Sequence, residues 1–222
     1  MDWRYNTIWF EQIESNNYFN HDFKNEKTID KGFTKVEYAI LWHLKSGVDA
    51  FQNLPSSDKL LYLELNCANA KDLKGVTRFK NLKRLELHYC TKLEEDTGIA
   101  QLSDSLQYLH INQSKKFKFT DELLSLTNLR VLCLNTCSPI DSLSFLSNFP
   151  NLIDFRFIDT NILDGDLNPL IEHPTIRTVG FLNKRHYNIK DSQLKNELLL
   201  KSNTEYRYFA NKGEYRTTRY DY

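Results

Sequence analysis

Glu86, His110 and Cys133 are the residues whose types and spacing best suit chemistry. They stand 24 and 23 residues apart (86 to 110, 110 to 133). A carboxylate, an imidazole and a thiol held side by side form a nucleophile, a base and a group that orients the base. With His88 nearby they also form a zinc ligand set. Either use requires the chain to return to the same place every 23 or 24 residues. A nucleophilic set further needs oxyanion donors and a substrate pocket, and the chain offers no motif for them. It has no G-x-G-x-x-G, no G-K-[ST], no C-x-x-C and no H-E-x-x-H. The residue type also changes at each return, as it does on any surface of unlike side chains. No catalytic residue, metal or cofactor is expected.

The elements that bring these residues together are short apolar segments in a fixed register. They are LLYLELNCA from Leu60, NLKRLELHYC around Leu82, LQYLHINQS from Leu106, LRVLCLNTC from Leu129, LIDFRFIDT from Leu152 and IRTVGFLNK from Ile176. Their first positions lie 22, 24, 23, 23 and 24 residues apart (60, 82, 106, 129, 152, 176). Each is apolar at positions one, four and six, following the form L-x-x-L-x-L-x-x-N/C, which is the strand and turn of a leucine-rich repeat. A degenerate copy precedes them at Val36-x-x-Ala39-x-Leu41-x-x-Leu44. Between these segments the apolar spacing changes to three, as in Leu73, Val76, Phe79, Leu82 and Leu85. That period predicts 3₁₀ or short helical returns on the convex side.

The pattern resembles the SDS22-like and internalin-like class of leucine-rich repeats over roughly residues 36–190. The resemblance implies an α/β fold: a right-handed solenoid with a concave parallel sheet of six or seven strands, capped at both ends. It implies no active site, because such repeats share a scaffold and not a chemistry. Ser114 and Thr160 depart from the class by replacing the inward Asn or Cys. The size and layout also resemble small stand-alone bacterial repeat proteins, some of which are immunity proteins that neutralise a toxin.

Composition narrows the partners. Lys plus Arg and Asp plus Glu are 29 each, so net charge gives no case for nucleic acid or an anionic membrane. No apolar run approaches the ~18 residues of a membrane span, and the first residues, MDWRYNTIWFEQIES, do not read as a signal peptide. Cys67, Cys90, Cys133 and Cys137 are expected as free thiols of a cytoplasmic protein, monomeric when free. Residues 1–35 read as an N-terminal cap, partly helical around 6–15, with a loop at Asn16–Asn25. Residues 191–222 read as a helix and a β-hairpin turning at Asn211-Lys212-Gly213, covering the C-terminal end or contacting a partner.

Within each segment, positions two, three, five, seven and eight should face outward, because strand side chains alternate. Column three carries Tyr38, Tyr62 and Tyr108, with Trp42 and Tyr89 close by. Tyr, Trp and Arg are enriched at interface hot spots. The expected contact set is Tyr38, Trp42, Tyr62, Glu64, Arg84, Glu86, His88, Tyr89, Tyr108, His110, Arg130, Asp154 and Arg156. The function read from this surface is a non-enzymatic module that binds a protein partner, a cognate toxin in its inhibitor form. The alternative is an adaptor that recruits a substrate to another complex.

Overall fold

The computed structural model describes residues 1–45, 50–202, 205–212 and 215–222. Eight parallel strands follow one another in sequence order: β1 Tyr18–Asp22, β2 Tyr38–Trp42, β3 Tyr62–Asn66, β4 Arg84–His88, β5 Tyr108–Asn112, β6 Val131–Asn135, β7 Asp154–Arg156 and β8 Thr178–Gly180. The protein is an α/β leucine-rich-repeat solenoid, with one strand more than the upper expectation of seven. The extra strand is β1, which lies inside the stretch read as a loop. Its Asn and His residues are poor strand formers, but pairing with Ala39, Leu41 and their neighbours on β2 overrides that propensity.

The register explains the core. Leu63, Leu85, Leu109, Leu132, Phe155 and Val179 are Cα partners across successive strands and are all buried, as are Leu65, Leu87, Ile111 and Leu134. Shortly past each of β2 to β7 comes a residue in the left-handed region: His43, Cys67, Tyr89, Gln113, Thr136 and Asp159, with φ between 52° and 57°. This one bend turns the chain inward at the next position. The backbone N–H of the bent residue still reaches the following repeat, as in Cys67 to His88 (2.8 Å) and Tyr89 to Asn112 (3.0 Å).

The convex returns are 3₁₀ turns at Val76–Arg78, Ile99–Leu102 and Ser144–Asn148, and short helices at α1 Asp121–Leu124 and α2 Asn168–Glu172. At position nine, Thr160 Oγ1 donates to Leu134 O (2.7 Å) and accepts from Cys137 N (2.9 Å). Ser114 Oγ is buried with no partner among the described residues. Phe33, Phe19 and Phe23 pack on the first repeats, and Leu194 and Leu198 of α3 Asp191–Lys201 pack on the last.

The segment around 6–15 is helical only in part and forms no α-helix. Apart from a single 3₁₀ turn at Phe10–Gln12, it runs across the concave face. β9 Arg207–Lys212 and β10 Tyr215–Tyr220 pair antiparallel, and the expected turn residue Gly213 lies outside the described residues. The inner end of this hairpin does not cover the end of the solenoid; it too lies on the concave face. There the two termini join. Tyr5 bridges Arg219, Asn6 N donates to Thr218 O (2.7 Å), Tyr220 N donates to Arg4 O (3.0 Å) and Arg219 pairs with Asp2 (2.7 Å). We call this joined layer the lid. Among the described residues, no helix is long and apolar enough to cross a membrane.

Candidate functional site

Column three is the line on which the lid rests. Tyr38 and Tyr62 pack under Ile8, Phe10 and Ile13, with Phe10 edge-on to Tyr62 at 5.8 Å. Tyr108, Val131 and Cys133 pack under Tyr220, Tyr222 and Tyr206. Thr178 is hydrogen-bonded to the Tyr206 hydroxyl. Between the two aromatic clusters stands Arg84. Its guanidinium lies 3.7 Å from the Tyr108 ring centroid and donates to the backbone carbonyls of Trp3 (2.9 Å), Tyr5 and Asn6 (3.1 Å). A guanidinium suits this task, because its planar donors satisfy several acceptors at once while its face stacks on an aromatic ring.

The expectation of a solvent-facing aromatic column is therefore corrected. Tyr38, Tyr62, Arg84, Glu86, Tyr108 and Asp154 are buried, because the chain's own termini cover them. Arg130 is half-buried, with Tyr222 at 5.6 Å from its guanidinium. Trp42, Glu64, His88, His110 and Arg156 are half-buried, and Tyr89 is exposed. The lid thus leaves open the C-terminal ends of the strands. A cleft of about 310 Å³ runs between Asn6, Thr7 and Ile8 above and column five below.

Glu86 organises the floor of that cleft. Its Oε1 pairs with Arg84, and its Oε2 meets His88 Nε2 at 2.7 Å and His110 Nδ1 at 3.4 Å. Burial alone would raise the Glu86 carboxyl. The Arg84 guanidinium and the two histidine hydrogen bonds outweigh it and hold the group well below the usual carboxylate range. Burial pulls His88 down, but its hydrogen bond to Glu86 and the charge behind it raise it overall. His110 is lowered, because burial there outweighs its contact with Glu86. Farther along, Asp154 accepts from Tyr220 Oη and from Arg156 (2.7 and 3.0 Å).

The sheet does bring Glu86, His110 and Cys133 onto neighbouring strands as Cα partners. The thiol is nonetheless a poor nucleophile. Burial, with the nearby Asp154 charge, pushes Cys133 up to about 12. Cys90 and Cys137 are likewise pushed up to about 12 by burial.

No protein-family model matches the chain, and no curated protein matches it. Among solved structures the chain is similar to an internalin, InlF, of Listeria monocytogenes, at 14% identity over 70% of this chain and 52% of that one, with a TM-score of 0.44. It is also similar to internalin C2 of the same organism, at 22% identity over 67% of this chain and 70% of that one, with a TM-score of 0.39. The chain spans about half the length of the first. The repeat fold itself rests on the register and strand order above.

Proposed function

We propose that the protein is a non-enzymatic binding module that receives a protein partner along the uncovered C-terminal ends of its strands. The observation that carries this reading is the division of the concave face. The lid covers column three and leaves a strip holding Trp42, Glu64, His88, Tyr89, His110 and Arg156. Eight strands at ~4.8 Å make this strip ~34 Å long. With its flanking turns it is long enough for the ~800 Å² per partner of a standard interface. Tyr62, Arg84 and Tyr108 then act from beneath by fixing the lid, and Tyr89 becomes the foremost exposed aromatic contact.

The sharper form is an inhibitor that neutralises a toxin, supported by size and layout. The adaptor form is supported by a further pair of exposed aromatics, Tyr208 and Phe209 of β9, which are not members of the strip. The test begins with a pull-down from the native host and continues with calorimetric titration of the purified partner. Tyr89→Ala should weaken binding by ~1–4 kcal/mol, while the convex change Lys80→Ala should leave it unchanged. Full affinity in Tyr89→Ala and Trp42→Ala alike would overturn the strip as the contact surface.

A further inference from the structure

With His88 and His110 neutral, the cleft beneath the lid is one positive charge short. Tyr62 Oη donates to Glu64 Oε2 (2.6 Å) and lies 3.4 Å from Glu86 Oε1, so two carboxylates converge on one hydroxyl. Arg84 offsets Glu86, and Arg156 offsets Asp154. Glu64 has no ion-pair partner among the described residues; its other oxygen accepts from Asn66 (2.6 Å). Excess charge at a largely buried place calls for a cation.

The geometry offers a place for one. Glu86 and His88 are two residues apart on β4 and share a face, and His110 is the Cα partner of Glu86 on β5. One ligand atom from each of the three lies within 4.8 Å of the others. Glu86 Oε2 points away from Arg84 toward both imidazoles. We propose that Glu86, His88 and His110 bind one divalent transition-metal ion, with the fourth position open to the cleft. Two imidazoles and a carboxylate suit zinc, and three protein ligands with an open position are a familiar arrangement for it.

The groups behind the histidines set how tightly. His88 Nδ1 faces the Asn112 amide at 3.4 Å, and no other side-chain bond among the described residues fixes that amide's orientation. It can turn to accept from Nδ1–H while Nε2 binds the ion. His110 is less ready. Asn135 Oδ1 accepts from Ile158 N (2.9 Å), so its NH₂ donates to His110 Nε2 (3.1 Å) and the ring proton sits on Nδ1. Metal binding moves that proton to Nε2 and makes Asn135 turn, which breaks its bond to Ile158. Asn135 is therefore a brake on affinity. An aspartate there accepts from both Ile158 N–H and His110 Nε2–H and releases the brake.

The full chain, stripped with a chelator, is titrated with Zn²⁺ by calorimetry and with Co²⁺ by visible absorption. The expected result is one ion per chain. Binding should fall at least ~100-fold in His88→Gln and in His110→Gln, rise about tenfold in Asn135→Asp, and remain in Cys67→Ser, which removes the exposed thiol. Should a histidine variant fail to fold, the imidazole ¹⁵N resonances of the native chain decide, with His88 and His110 alone shifting on zinc addition. No saturable binding, binding retained in either folded histidine variant, or binding lost in Cys67→Ser would overturn the site.

Discussion

Replacing Arg84 by alanine is the perturbation that reaches furthest into this structure. The Arg84 side chain is 2% exposed and that of Glu86 8%. The substitution leaves the Glu86 carboxylate buried with no arginine, and three lid carbonyls lose their donor. Breaking a buried pair by removing one partner costs about 3–5 kcal/mol, roughly a fifth or more of the stability of an ordinary domain. The double change Arg84→Met with Glu86→Leu removes both charges and should recover most of that loss, because an apolar pair of similar volume is often no worse than the ion pair. It does not restore the lid's donors. Urea unfolding should therefore show Arg84→Ala as the less stable of the two, while hydrogen exchange at the Asn6 amide is faster than native in both. A loss under ~1 kcal/mol in Arg84→Ala, with Asn6 still protected, would refute the role given to this arginine.

Three further outcomes follow from named contacts. Leu132→Ala removes a fully buried position-four side chain and should cost ~2–5 kcal/mol in urea unfolding; an unchanged midpoint would put the register in error. Thr160→Ala breaks two hydrogen bonds and should cost about 1 kcal/mol, whereas Ser114→Ala deletes an unpartnered buried hydroxyl and should be neutral or stabilising; the reverse order in thermal melts would contradict the position-nine assignment. For pH, His88 is raised in the folded state, so its stabilisation is full below the unfolded value of about 6.5 and is lost as pH rises through the folded value. Glu86 is depressed, so its contribution is full above about pH 4.3 and is lost as pH falls toward the folded value. The stability difference between native protein and His88→Gln should shrink above pH 6.5; a difference independent of pH from 5 to 8 would be inconsistent with that shift.

The solenoid was legible because its periodicity is redundant. Leu85 and Leu132 hold the same inward position in different repeats, and each confirms the other. The lid was not legible in that way, because residues 1–13 and 205–222 carry no repeat. A signal for it did exist in column three. Tyr38, Tyr62, Tyr108 and Val131 give that outward column four aromatic or apolar members beside Arg84, Asp154 and Thr178. A sheet apolar on both faces is covered on both faces, and strand propensity alone does not require four such residues. Arg84 looked like a solvent-facing hot spot because a lone arginine among tyrosines suits an interface equally well. The interface it serves is internal. β1 was hidden for a different reason: it is held by pairing with β2, a tertiary contact that local propensity does not encode.

The account rests on the chain's own termini lying on column three. The direct measurement is a methyl-selective NOESY spectrum of the full-length protein with labelled Val131. Val131 is buried in one cluster with Tyr220 and Tyr108, so its methyl groups should show cross-peaks to the Tyr220 ring as well as to Tyr108. Cross-peaks to Tyr108 alone, with exchange broadening or water contacts at the Val131 methyls, would mean an open concave face and would contradict the lid.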